Sequence, residues 1–432
     1  MNYNIEELFK IADNNLKVNT AYPIFKEPFK KYISNNDIFE NIDKLSFYIH
    51  VPFCKQLCKF CEYTKFLAGN ENSEEKYLIL LNNQIENFIN NHDIKKIYGF
   101  DIGGGTPTAL SDKNFEKLIN IHLDLENRYE KINDYEKSIE ISFSTINDNK
   151  IDLIKNANFN RISVGMQSIN KKLLDDNNRY YSQIEDILKI KEMIQNKNIE
   201  KLNIDLMYGL TNQNDDMLES TIEAIKIINP EQVTLYETRF NRNNMDYSKI
   251  TRDLQYKQYS NLYNELIKLG YKGRFGKNTF TKKNDEGVSS YLKYRMTECI
   301  PYKGFGISAQ SMSLQGLSYG IMKNTDLKHI PDLNEIKEGY NYSLPKSEIA
   351  AKYISIAMYN GSFNLNVLSE ILQENAKKYF KEEFDYLFKN EYISEINNEI
   401  ILTQKGFRYY GAICSLFWSN EQKEELLKNK IL

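Results

Sequence analysis

An α/β fold is predicted, a partial barrel of six strand–helix units with extra segments at both ends, and three observations predict it. Between residues 45 and 270, strand-like and helix-like stretches alternate six times. The helix-period stretches are long enough to carry the chain back across a parallel sheet. From about Lys346 the alternation stops and the pattern turns helical. Four segments follow: an N-terminal extension over 1–44, the barrel over 45–270, a sheet extension and substrate-side cover over 271–345, and a small C-terminal domain over 346–432. Six strands are too few for an eight-fold barrel, so a curved, partly open (βα)6 barrel fits. Either architecture puts the ligand site at the C-terminal ends of the strands.

In the extension, Ile5–Ala12 reads as a short helix, and Ala21-Tyr22-Pro23 and Pro28 break any longer one. The strand candidates are Leu45–Val51, Lys96–Ile102, Ser138–Ser144, Arg161–Gln167, Lys201–Met207 and Gln232–Glu237. Helix-period stretches follow them at Glu74–Asn90, Lys113–Asn127, Asp148–Ala157, Ser182–Ile194, Met217–Ile228 and Leu254–Leu269. Residues 271–345, with Gly273, Gly276, Gly304–Ser311 and Pro331, read as strands and loops. The C-terminal pattern gives helices at Ile349–Met358, Asn364–Leu372 and Tyr379–Lys389. A hairpin around Asn397-Asn398 and a last helix through Trp418 complete it.

The composition is that of a globular chain, 41% hydrophobic and 27% charged. A net charge of −3 offers no strong pull toward nucleic acid or an anionic membrane. No apolar run approaches the roughly 20 residues of a membrane span. Glu6, Glu7 and Asp13 disfavour a signal peptide, so a cytoplasmic protein is expected. Lys and Glu interleave in the C-terminal domain without a basic stripe, which disfavours DNA binding.

The chemistry concentrates after the first strand, where Cys54, Cys58 and Cys61 stand at C-x3-C-x2-C spacing. Thiolates select zinc, copper(I) or iron–sulfur clusters. With His50 the three would complete a Cys3His zinc set. As cluster ligands they would leave one iron of four without a protein ligand. The second strand runs into Gly103-Gly104-Gly105-Thr106-Pro107-Thr108, where backbone groups can approach a ligand closely. Period-two alternation puts Glu140 with Ser142 on one strand face. It does the same for Arg161, Ser163, Gly165 and Gln167, and for Asn203 and Asp205. Inward polar groups beneath a helix-covered sheet need partners, and a polar ligand across the strand ends would supply several. Cys299 reads as a buried structural thiol, and His92, His122 and His329 as surface residues.

These motifs, with Tyr48-Ile49-His50-Val51-Pro52-Phe53, Arg161–Ser168, Asp205–Leu210, Gly304–Ser311 and Leu402-Thr403-Gln404-Lys405-Gly406, resemble one family in its own order. It is the radical S-adenosylmethionine (SAM) branch of oxygen-independent coproporphyrinogen III oxidase and its HemN/HemW-like relatives. The resemblance implies a radical SAM barrel with a winged-helix-like C-terminal α+β domain. It implies that Cys54, Cys58 and Cys61 bind a [4Fe–4S] cluster whose open iron is chelated by SAM. Gly104, Gly105 and Thr106 would hold the SAM amino group, and Phe60 would pack beside the cluster. Tyr48, Glu140, Gln167, Arg179 and Asp205 match positions that contact the cofactor. The implied chemistry is reductive cleavage of SAM to a 5′-deoxyadenosyl radical, which removes hydrogen from an aromatic or tetrapyrrole-like substrate. C-methylation with a second SAM is one possible outcome; porphyrinogen decarboxylation and haem carriage are the alternatives. A flavodoxin- or ferredoxin-type electron donor is implied. The chain departs from the pattern at Tyr63, where the oxidase has a fourth Cys. It departs again at Ser290–Arg295, where the haem-chaperone branch has His-Asn-x-x-Tyr-Trp.

Overall fold

The computed structural model describes residues 3–180, 183–239, 250–320 and 338–429; His329 and Pro331 lie outside them. Six strands, β1 (Lys44–Val51), β2 (Lys96–Gly104), β3 (Lys137–Ile141), β4 (Arg161–Gln167), β5 (Lys201–Tyr208) and β6 (Gln232–Glu237), pair in parallel in that order. Each leads to a helix: α1 (Glu71–Asn91), α2 (Asp112–Glu126), α3 (Asp148–Asn156), α4 (Ile184–Asn196), α5 (Asp215–Ile228) and α6 (Arg252–Lys268). The sheet continues past β1 through Tyr302–Phe305, Gln310–Ser313, Gly316–Gly320, Glu338–Ser343 and Ile33–Ser34. It ends beyond β6 at Thr279–Thr281. These end strands do not pair with each other among the described residues, and the six parallel strands with their helices are the (βα)6 arrangement expected.

Alternation in the sequence becomes two faces with different chemistry. Phe47, Phe100, Ile102, Ile139, Val164, Ile204 and Val233 are fully or nearly fully buried, in one hydrophobic core with residues of the covering helices. The opposite face carries a polar ladder. Arg161 donates from Nε to Gln232 Oε1 at 2.7 Å and from Nη1 to Ser138 Oγ at 3.0 Å. Asn203 donates to Ser163 Oγ at 2.9 Å and accepts from Thr234 Oγ1 at 2.9 Å. Buried polar groups are tolerated because they satisfy one another.

A second hydrophobic core joins the two chain ends. Phe9, on helix Ile5–Asp13, stacks on Tyr392 with ring centroids 5.2 Å apart, and Tyr22 lies 6.0 Å from Trp418. The hairpin Ile393–Ile396/Glu399–Leu402 turns at Asn397 and Asn398, both left-handed with φ 52° and 62°. A two-residue turn of that kind matches the strand twist. A third strand, Ser362–Asn364, and a further helix, Asn420–Asn429, have no counterpart in the sequence reading.

Three expectations are corrected. The third strand ends at Ile141, because Ser142 begins a turn in which Thr145 N–H donates to its carbonyl at 3.1 Å. His122 is completely buried on α2, between Phe100 (4.2 Å) and Phe159 (4.8 Å). His92 is half-buried, stacked on Phe88 at 4.1 Å, with Nε2 bonded to Asp37 at 2.7 Å. A ring that packs among aromatics reads in sequence like a surface polar residue.

Candidate active site

A cavity of about 270 Å³ opens at the C-terminal ends of the parallel strands. Cys54, Cys58 and Cys61 line it with Phe60, Gly104, Gly105, Thr106, Glu140, Gln167, Arg179 and Asp205. All three cysteines are free thiols. Tyr48 alone of the expected site residues does not line the cavity. It stacks on Tyr291 with centroids 5.8 Å apart, close enough to Glu140 for that charge to act on its phenol.

The cysteine loop is clamped by neighbouring elements. Lys65 Nζ donates to the carbonyls of Cys58 (3.1 Å) and Cys61 (2.7 Å). The loop after β4 holds the other side: Lys59 N–H donates to Asn177 O at 3.0 Å, and Asn178 Nδ2 donates to Leu57 O at 2.8 Å. Two sulfurs have weak donors, Thr106 Oγ1 to Cys54 at 3.9 Å and Arg179 Nη1 to Cys58 at 3.8 Å. Burial pushes the Cys54 thiol up to about 11, so it holds its proton until a metal takes the sulfur.

The end of β2 forms a cradle. Gly105 N–H donates to Val51 O at 2.8 Å and Thr106 N–H to Phe53 O at 2.7 Å, which ties the glycine loop to the cysteine loop. A Cβ on Gly105 would lie 2.9 Å from Cys54 Sγ and 2.7 Å from Phe53 O. Gly104 is left-handed at φ +113°, and its N–H donates to Glu140 Oε2 at 3.0 Å. His50 is turned away from the thiols: its ring lies against Gly104, and Nε2 meets Thr64 O at 3.3 Å. It does not line the cavity. A Cys3His zinc set is therefore not assembled, and His50 is a buried ring held neutral, its pKa lowered to about 4 by burial.

Of the carboxylates that line the cavity, two, Glu140 and Asp205, come from the parallel strands β3 and β5. Glu140 is exposed to the cavity, with protein packed densely around it. Burial, then the charge of Asp205, raise its carboxyl to about 8. Asp205 accepts from Ser163 Oγ at 3.0 Å and Asn203 Nδ2 at 2.7 Å, yet burial still raises it. Gln167 ends β4 at a register shift, left-handed at φ +67°, and its buried Oε1 has no hydrogen-bond partner. That arrangement suits a ligand carrying positive charge and hydrogen-bond donors.

The outer wall joins the chain ends to residues at and after the ends of β5 and β6 and was not legible in the sequence. Arg239 donates to Glu62 Oε1 (3.1 Å) and Thr20 Oγ1 (2.7 Å). Arg252 pairs with Glu237 at 3.1 Å and reaches the carbonyls of Asn15, Leu16 and Val18. Tyr410 and Phe407 close the same side as Tyr208, Tyr236 and Tyr359. No local pattern marks the long-range contacts, since Arg239 meets Thr20, Arg252 the carbonyls of residues 15–18 and Tyr410 Glu237, each across more than a hundred positions of chain. Cys299 is buried and lies off the cavity.

The profile of the Radical SAM superfamily matches residues 48–225. The chain is 27% identical over 389 residues to the heme chaperone HemW of Buchnera aphidicola subsp. Schizaphis graminum, covering 86% of this chain and 98% of that one. It is 29% identical over 192 residues to the oxygen-independent coproporphyrinogen III oxidase of Salmonella typhimurium, covering 44% and 41%. The solved structure of coproporphyrinogen III oxidase (HemN) from Escherichia coli matches with a TM-score of 0.70 at 21% identity, over 87% of this chain and 90% of that one.

Proposed function

The chain belongs to the radical SAM superfamily, in its coproporphyrinogen-oxidase and haem-chaperone group, and on that premise we propose that it abstracts hydrogen from an aromatic or tetrapyrrole-like substrate. The cofactors of this family are a [4Fe–4S] cluster and SAM. The residues present fit both. Three free thiols line one cavity, a glycine cradle approaches Cys54 closely enough to exclude a Cβ, and a buried Gln167 Oε1 stands without a partner. When bound, the cluster and SAM supply a one-electron cleavage that yields a 5′-deoxyadenosyl radical as the hydrogen acceptor.

The chain's own share is binding, orientation and exclusion of water. Cys54, Cys58 and Cys61 would hold the cluster, with Thr106 and Arg179 donating to two of the sulfurs. Glu140, Gln167 and Asp205 would orient the cofactor, and the backbone of Gly104, Gly105 and Thr106 would take its amino end. Tyr208, Tyr236, Tyr359, Phe407 and Tyr410 would enclose a flat substrate and keep water from the reacting carbon. A flavodoxin- or ferredoxin-type donor belongs to this reading.

The observation that carries the reading is the convergence of the cysteine loop, the glycine loop and the polar ends of β3, β4 and β5 on one cavity. Haem carriage is the second reading, favoured by the relative matched over its whole length. It lacks the chaperone pattern's His: Ser290 stands there, its hydroxyl bonded to Glu136 O and N–H at 2.9 Å. Methyl transfer draws no support from the relatives named above. The test is anaerobic reconstitution with iron and sulfide, then reduction with SAM. Formation of 5′-deoxyadenosine, lost in Cys58→Ala, supports the proposal. A Soret band on haem addition with no SAM cleavage overturns it in favour of the second reading.

A further inference from the structure

One ring in the cavity is presented by a segment that is fixed on both sides of it. After Cys61, Glu62 accepts from Arg239 Nη1 at 3.1 Å, Thr64 Oγ1 meets Ser308 Oγ at 2.6 Å, and Lys65 is bonded to two carbonyls of the cysteine loop. Tyr63 stands among these tethered neighbours. It lines the cavity, is 60% exposed and makes no hydrogen bond among the described residues. It is also where the chain departs from the oxidase pattern, a phenol in place of a fourth thiol.

Tyr236 is its counterpart on the sheet. Along β6, Gln232 accepts from Arg161 and Thr234 donates to Asn203, both within the polar ladder. Period-two alternation puts Tyr236 on the same face, one step nearer the cavity. It lines the cavity, is 38% exposed, and its hydroxyl makes no hydrogen bond among the described residues. The other tyrosines of the cavity are engaged. Tyr208 and Tyr259 are buried, and Tyr259 donates to Lys277 O at 2.6 Å. Tyr410 donates to Glu237, and the Arg239 guanidinium lies 5.1 Å from the ring centre of Tyr359. Arg239 itself is held by Glu62 and Thr20. Two phenols are therefore the neutral donors that the outer part of the cavity leaves open.

We propose that Tyr63 is a substrate-positioning residue and that, with Tyr236, it selects a flat ring carrying a neutral acceptor, a carbonyl oxygen or a ring nitrogen. The face of a Tyr ring packs on an aromatic surface while its hydroxyl donates at the edge. The pair would fix both the plane of the substrate and its rotation within that plane, and the rotation decides which carbon meets the radical. Because the neighbours of Tyr63 are already tethered, little freedom remains to be lost on binding. The inference rests on the proposed function for the reaction, while the grip itself is read from binding alone.

Binding to the reconstituted protein is measured by calorimetry with two flat probes, acridone and coproporphyrin III. Saturable binding is expected, weakened about tenfold in Tyr63→Ala. Tyr63→Phe keeps the ring and loses the donor, and should weaken binding about threefold, as should Tyr236→Phe. A fluorine label on the Tyr63 ring should change its 19F shift as the probe saturates. The unfolding midpoint of Tyr63→Ala should not fall, since the ring is exposed and unbonded; a merely structural Tyr63 would lower it. Should Tyr63→Ala not fold, the two Phe variants and the 19F shift carry the test. Binding of acridone without coproporphyrin III keeps the grip and removes the tetrapyrrole body. Weakened binding in the variants without 5′-deoxyadenosine from the wild type keeps Tyr63 and removes the proposed reaction. Equal affinity in wild type and variants, a 19F shift that does not move, or no binding of either probe overturns the proposal.

Discussion

Glu140 provides the sharpest test of how the cavity recognises its cofactor. Its carboxyl is raised to about 8, first by burial and then by the charge of Asp205, while Gly104 N–H at 3.0 Å supports the ionised form. A cationic ligand binds the carboxylate and not the acid. From a pKa of 8, roughly one molecule in eleven is ionised at pH 7 and about ten in eleven at pH 9, so SAM affinity should rise about tenfold across that window. An anionic cluster nearby would move the midpoint higher and keep the sign. The amine of SAM titrates in the same range, so the comparison with Glu140→Gln carries the argument: the variant should lose the component due to the carboxyl. Stability gives an independent check. A carboxyl raised in the folded state binds its proton more tightly there than in the unfolded chain. Its contribution is full below about pH 4.5 and declines as pH rises toward 8. Glu140→Gln should therefore raise the unfolding midpoint more at pH 8 than at pH 5. Calorimetric titration of the reconstituted protein at pH 7, 8 and 9 and thermal melts of both proteins measure the two effects. Parallel affinity curves for wild type and variant would refute the assignment of Glu140 to the cofactor.

Lys65→Met removes two bonds to carbonyls of the cysteine loop, each worth about 1.5–3 kcal/mol; iron and sulfide per chain after reconstitution should fall several-fold with the circular dichroism unchanged. Gly105→Ala puts a Cβ 2.9 Å from Cys54 Sγ and should abolish the brown colour of the reconstituted protein while leaving the fold intact. His122→Leu removes a buried ring whose two nitrogens make no hydrogen bond, Nε2 lying 3.6 Å from Glu126, and whose pKa lies well below 6.5 through burial. A His depressed in this way loses stability as pH falls below its unfolded value, so urea unfolding should show the variant about 1 kcal/mol less sensitive to a drop from pH 7.5 to 5.5. His50, also depressed, keeps its own share in the variant. Gln167→Gly relieves a left-handed backbone at a cost of about 0.5–1 kcal/mol in chain entropy; the melting point should hold or rise while SAM binding weakens, and an unchanged SAM affinity would detach Gln167 from the site.

Much of this site is legible in the chain because its parts are local. The three thiols, the glycines and the alternating polar positions of β3, β4 and β5 each depend on spacing within a few residues, and spacing survives folding. What the sequence conceals is whatever depends on two distant segments meeting. Tyr22 meets Trp418, Arg252 meets the carbonyls of residues 15–18, and Arg239 meets Thr20. His122 shows the same limit in a single residue: polar neighbours in sequence suggest a surface position, but the helix turns the ring onto Phe100 and Phe159. His50 illustrates it again, since nearness to Cys54 along the chain suggests a ligand while strand alternation points the ring toward Gly104.

The contacts of the cysteine loop argue that cluster binding and cofactor binding are coupled through one segment. Asn177 and Asn178 hold the cysteine loop, and Arg179, the next residue, reaches both Cys58 Sγ and the Gly165 carbonyl of β4. Gly165 lies opposite Asp205 on the neighbouring strand, and two residues on Gln167 adopts its left-handed backbone opposite Leu206. A cluster held by Cys58 would constrain Arg179, and Arg179 would in turn constrain the end of β4 that carries Gln167. Each step of this path is a hydrogen bond or a peptide bond rather than a loose apolar contact, so on the proposed function order would spread from the cysteine loop toward the end of β4. The same path explains the position of Lys65. It secures the loop from the side opposite Asn178, so the loop is held at two points and the sulfurs can be presented before any iron arrives.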